Sequence, residues 1–97
     1  MLLHVRMEVK LPVGLDPQEA SDLKKREKAY SQTLQRDGTW LHLWRVAGIM
    51  GNISIFDVPD IETLHEVLTG LPLFPYITFE ITPLCCHPSR IDPSGMP

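Results

Sequence analysis

Cysteine is nearly absent from this chain of 97 residues: it has two, and they are neighbours, Cys85 and Cys86. Adjacent cysteines do not readily bridge each other, so a disulfide framework is excluded and a reducing compartment is the expected setting. Long hydrophobic runs are missing too, and no stretch approaches the roughly 18 apolar residues that a membrane span requires. The opening Met1-Leu2-Leu3-His4-Val5-Arg6 passes straight into strand-like alternation, without the charged-then-apolar segment of a secretion signal. These absences favour a cytoplasmic protein with no membrane partner. Positive charge is not in excess either: the formal net charge is −3. The densest basic cluster, Lys24, Lys25, Arg26 and Lys28, is broken by Glu27 and reads as a solvated helix face, not a nucleic-acid track. There is no phosphate loop, no dinucleotide fingerprint and no Gly-x-Ser-x-Gly setting for a nucleophilic serine. The four histidines, His4, His42, His65 and His87, lack metal-ligand spacing, and Cys85-Cys86-His87 lacks the separated cysteine pairs of a zinc site. No cofactor and no metal are expected.

What is present is a sequence of ordinary globular composition, 43% hydrophobic and 22% charged, long enough for one modest core and not for two. Residues 2 to 11 alternate, with Leu3, Val5, Met7, Val9 and Leu11 on one face and His4, Arg6, Glu8 and Lys10 on the other, which predicts a strand. Asp16-Pro17 with Glu19 gives an N-cap, a proline at the first helical position and a capping-box spacing, so a helix is expected from there to about Arg36, stopped by Gly38. Residues 40 to 48 and 52 to 58 read as a hairpin around Gly48 and Gly51. Pro59-Asp60 opens a second helix with Ile61, Leu64, Val67 and Leu68 at helical spacing, closed by Gly70, and residues 76 to 82 read as a fourth strand.

The order β-α-β-β-α-β is the split pattern of a ferredoxin-like fold: an α+β sandwich, with a four-stranded antiparallel sheet and two helices on one face. One domain is expected over residues 1–84, followed by an extended Pro- and Ser-containing tail over residues 85–97 that is disordered or ordered by a neighbouring subunit. Leu41, Leu43, Ala47, Ile53 and Ile55 on one parity, and Trp44, Val46, Phe56 and Val58 on the other, give both faces of the hairpin apolar side chains. A face left uncovered by helices would then be too hydrophobic for water, so a homo-oligomer, minimally a sheet-on-sheet dimer, is expected.

Glu27 is the residue whose position asks for an explanation. At about 100° per residue it falls on the apolar stripe of Ala20, Leu23, Tyr30 and Leu34, away from its charged neighbours. A carboxylate aimed at a core must be paired, protonated or employed. It either reaches Arg6 or Arg45 as a structural ion pair, or serves as a general base with a raised pKa in a polar pocket shared with Tyr30, Ser31, Asn52 and Ser54. Asn52 serves the hairpin turn or donates a hydrogen bond to a substrate oxygen; Ser54, between two isoleucines, faces inward as a satisfied polar group. His42 is a satisfied sheet histidine or a substrate contact, and Trp40 and Trp44 pack in the core or in a subunit interface.

Six segments in order, Met1-Leu2-Leu3-His4-Val5-Arg6-Met7, Leu23-Lys24 with Glu27-Lys28, Gly38-Thr39-Trp40, His42-Leu43-Trp44-Arg45, Asn52-Ile53-Ser54-Ile55-Phe56-Asp57-Val58 and Leu71-Pro72-Leu73-Phe74-Pro75-Tyr76, resemble the muconolactone delta-isomerase family from residue 1 to about residue 90. The resemblance implies a ferredoxin-like subunit in a ring-like decamer built from dimers. It also implies a cofactor-free isomerase acting on a small-molecule lactone in the beta-ketoadipate pathway of aromatic degradation. In that reaction a proton leaves the ring carbon bearing the acetate arm, and one is delivered to the carbon beside the lactone carbonyl, giving 3-oxoadipate enol-lactone. Glu27 matches the family's proposed base. The dienolate formed on the way needs donors, for which Asn52 and Ser54 are the candidates. The acetate needs a cation: Lys24 first, then Arg45 and Arg6, with His42 as a further polar contact. Met50 departs from the aromatic residue, commonly Tyr, that family members carry just before the asparagine of the third strand. A thioether cannot supply a phenol's hydrogen bond, which bears on the preferred lactone. Chloromuconolactone dehalogenases share the scaffold and the first deprotonation, and Gln18 leans toward the isomerase. The alternative of another class is a non-catalytic ferredoxin-like binding or assembly module, in which Glu27 is fully occupied by an arginine.

Overall fold

The structure, a computed structural model, describes residues 1–91. Its elements are β1 (Leu2–Val9), α1 (Pro17–Arg36), β2 (Trp40–Arg45), β3 (Gly51–Asp57), α2 (Ile61–Thr69) and β4 (Ile77–Leu84), with a 3-10 turn at Phe74–Tyr76 before the last strand. All neighbouring strands run antiparallel in the order β2-β3-β1-β4. With a helix in each β-α-β half, this is the ferredoxin-like arrangement that the element order implies.

Each element follows from local chemistry. The alternation of β1 puts Leu3, Val5 and Met7 at 0–1% exposure on the sheet's inner face. There they meet Phe56 of β3 and Leu64 and Leu68 of α2 in one core. The Asp16 carboxylate accepts from the Glu19 backbone N–H at 3.1 Å, and Pro17 occupies the first turn, where its missing N–H costs nothing. Asp60 caps α2 in the same way, accepting from the Thr63 backbone N–H at 2.7 Å and from its hydroxyl at 2.6 Å.

The hairpin differs from expectation in two respects. The strand expected over residues 40–48 ends at Arg45, and the chain turns through Gly48, whose φ of +85° is the left-handed region that glycine adopts without a Cβ penalty. The second difference is a bulge between Trp40 and His42: Trp40 opposes Phe56, yet His42 opposes Ile55, Leu43 opposes Ser54 and Arg45 opposes Asn52. The extra residue, Leu41, slips the register by one, and a slip of one exchanges faces for the rest of the strand. Leu43 therefore does not share a face with Ile53 and Ile55, as its parity suggested. It lies on the inner side with Phe56, while Trp44 and His42 join Ile53 and Ile55 outside.

The last strand runs to Leu84, which pairs with Leu2. Of the expected tail, residues 85–91 follow the sheet and residues 92–97 lie outside the described residues. Among the described residues, no helix is long and apolar enough to cross a membrane.

Candidate active site

The bulge and the hairpin turn open a cleft of about 550 Å³ between α1 and the inner face of the sheet. Lys24 and Glu27 come from α1, Leu43 and Arg45 from β2, Met50 from the turn, Asn52 from β3, and Val9 and Leu73 close the apolar side. Of the residues singled out in the sequence, Glu27, Lys24, Asn52 and Arg45 thus meet in one cavity.

Glu27 is half-buried, and its Oε1 accepts the backbone N–H of Leu73 at 3.0 Å. Burial pushes its pKa up; the Leu73 hydrogen bond pulls the other way and is the smaller effect. The ion pair with Arg6 or Arg45 is not formed: among the described residues the one ion pair joins the N-terminal amine to Asp57 at 3.5 Å. Arg6 lies on the outer face, in a separate shallow depression with Glu8 and Glu80. Arg45 lines the cleft beside Asn52, its cross-strand partner.

The polar neighbours expected around Glu27 divide. Tyr30 faces α2, donating its hydroxyl to the Val67 carbonyl at 2.6 Å; burial, and secondarily the charge of Glu27, raise its pKa. Ser31 donates to the Lys28 carbonyl of its own helix at 3.0 Å. Ser54 is 0% exposed and stands behind the cleft wall, where its hydroxyl donates to Asn52 Oδ1 at 2.7 Å. Asn52 Nδ2 lies 3.7 Å from the Met7 sulfur. His42 is on the opposite face of the sheet, stacked on Trp44 with ring centroids 5.2 Å apart, and does not line this cleft.

The Leu73 amide was not among the sequence candidates, although the segment carries a signal for it. Pro72 and Pro75 have no N–H, and the N–H groups of Phe74 and Tyr76 bond the carbonyls of Leu71 and Leu73 at 2.9 and 2.8 Å. The Leu73 N–H points instead to a side chain on another element, which fixes one oxygen of Glu27 and leaves Oε2 to the cleft. The arrangement combines a desolvated carboxylate, an amide and two cations around an apolar-walled cavity. That suits moving a proton on a small anionic molecule.

A family model described as muconolactone delta-isomerase matches residues 1–90. The muconolactone delta-isomerase of Pseudomonas aeruginosa is 59% identical over 91 residues, covering 94% of this chain and 95% of that protein. The enzyme of the same name from Rhodococcus opacus is 52% identical over 90 residues, covering 93% and 97%. A crystal structure of muconolactone isomerase superposes with a TM-score of 0.90 at 58% identity, covering 95% of this chain and 96% of that one.

Proposed function

The chain belongs to the muconolactone delta-isomerase family, and from that premise we propose that it moves the ring double bond of muconolactone to give 3-oxoadipate enol-lactone, with Glu27 as the single acid–base. Glu27 Oε2 removes the proton from the ring carbon bearing the acetate arm. The electrons of that C–H bond form the new ring double bond, and those of the old one shift toward the carbonyl as a dienolate. Glu27 returns a proton to the carbon beside the carbonyl, and the double bond leaves conjugation. The same carboxylate serves both steps, so no other acid and no cofactor enters.

The observation that carries this reading is a carboxylate with raised pKa, free of any ion pair among the described residues, lining an open cleft. A pKa lifted toward the operating pH makes a carboxylate a better base and leaves its conjugate acid able to reprotonate carbon. Asn52 is the donor for the dienolate oxygen, and Lys24, one turn before Glu27, is the cation for the acetate, with Arg45 beside Asn52 adding positive potential. The alternative of a non-catalytic module with Glu27 occupied by an arginine finds no support in this geometry. Its apolar outer face also suits self-association, and cytoplasmic residence suits its two cysteines, which form no disulfide.

The deciding assay follows loss of muconolactone by purified protein without added cofactor, with 5-chloromuconolactone and chloride release run alongside. We expect isomerisation of the unchlorinated lactone, and a fall in kcat on the order of a hundredfold or more for Glu27→Gln with the fold retained. A fully active Glu27→Gln enzyme sinks the mechanism, and faster chloride release than isomerisation reassigns the substrate.

A further inference from the structure

Ser54 occupies a place where a hydroxyl is a liability. It is 0% exposed on the inner face of β3, between Val5 of β1 and Leu43 of β2. A buried hydroxyl without a partner is costly, and an alanine there would carry no such risk. Its partner is Asn52 Oδ1, at 2.7 Å.

Asn52 has a second neighbour on the same face, the cross-strand Met7, itself 1% exposed, with its sulfur 3.7 Å from Nδ2. The chemistry of the two contacts differs in a useful way. A serine hydroxyl can donate or accept, so alone it would tolerate either orientation of the amide. A thioether has no hydrogen to donate and can only accept. An amide turned by 180° would set Oδ1 against the sulfur lone pairs and lose both contacts as they stand. One orientation satisfies both neighbours, and it commits Oδ1 to the wall.

We propose that Ser54 and Met7 are positioning residues that lock the side-chain amide of Asn52 so that it offers the cleft an N–H and never its oxygen. The consequence for catalysis rests on the reading of Asn52 as the donor to the dienolate oxygen. A flipped amide would present an acceptor to a developing anion, so the lock converts an ambivalent group into a fixed donor. Ser54 thus acts on the reaction through Asn52 and without touching substrate.

Two measurements test it on the full-length protein. The first is the side-chain ¹⁵N–¹H pair of Asn52, identified by its loss in Asn52→Ala. One sharp pair is expected in the unaltered protein, and a shifted, broadened or doubled pair in Ser54→Ala and in Met7→Leu, a volume-conserving change that removes the acceptor. An unchanged pair in both variants overturns the lock.

The second is a double-mutant cycle in kcat with muconolactone. Ser54→Ala is expected to lower kcat about tenfold with KM nearly unchanged, against roughly a hundredfold for Asn52→Ala. Adding Ser54→Ala to Asn52→Ala should cost nothing further, because the group it positions is gone. A multiplicative loss in the double variant overturns the proposal, since Ser54 would then act directly or through general packing. If Asn52→Ala retains full kcat while the amide signal responds to Ser54→Ala, the donor reading fails and the lock stands.

Discussion

Burial makes the charged form of Glu27 costly in the folded protein, and only the Leu73 N–H offsets part of that cost. Burial raises its pKa in the folded state above its unfolded value, so the folded protein binds a proton more readily than the unfolded chain. The resulting contribution is most favourable below the unfolded pKa, where Glu27 is protonated in both states. It is lost as pH rises through the folded pKa. Glu27→Gln keeps an oxygen for the Leu73 N–H and removes the charge, so the variant should melt at a higher temperature than the wild type at neutral pH. The gap should close as pH falls toward the ordinary glutamate range. Thermal denaturation of both proteins across pH checks this, and a wild type more stable than the variant at neutral pH would contradict it. The acid limb of kcat/KM should lie above the ordinary glutamate pKa for the same reason.

At the scale of elements, the join between α1 and α2 is tight enough to be tested by a single methyl group. A Cβ added at Gly70, just beyond α2, would meet the hydroxyl and ring of Tyr30, the residue one turn beyond Glu27 on α1 whose hydroxyl bonds Val67. Gly70→Ala should therefore destabilise the protein by about 1–3 kcal/mol. Tyr30→Phe alone should cost about 1 kcal/mol through its lost hydrogen bond. Because Phe removes the nearest of the atoms that the new methyl meets, the double variant should be more stable than the two losses summed; strict additivity in denaturant melts would show that the helices part without consequence. Elements of this kind were legible in the sequence wherever a pattern and a terminus signal coincided: the alternation of β1, the Asp16-Pro17 start of α1 and the Asp60 cap of α2. The bulge at Leu41 was not, because one extra residue in a strand leaves no mark in a two-residue alternation. That slip decides the site. It turns Leu43 and Arg45 into the cleft and carries His42 and Trp44 to the other face. Glu27 was legible because a charge on an apolar stripe is a conflict visible in one dimension. The inward-facing Ser54 was legible between its two isoleucines, whereas the partner of the Leu73 amide, Glu27 on another element, becomes visible only in the fold.

The whole molecule presents the consequence of placing both helices on one side of a single sheet. Its other face carries Ile53 and Ile55 on a central strand, flanked by Trp44, which is 56% exposed and stacked on His42. Aromatic and branched side chains grouped on an open sheet are what a second sheet covers, and a C2 pairing would set each patch on its own copy. A stable interface needs on the order of 1,000 Å² or more, which a four-stranded face can supply. Sedimentation or light scattering should therefore give a mass that is a multiple of the 11.0 kDa chain. Trp44→Glu, which places a charge beside Ile53 on that patch and outside the cleft, should shift the distribution to smaller species. The melting temperature of the wild type should rise with protein concentration, as it does for any assembly that only the folded state enters, and that dependence should weaken in the variant. A wild type that stays at 11.0 kDa at high concentration would mean that the face is solvated as it stands.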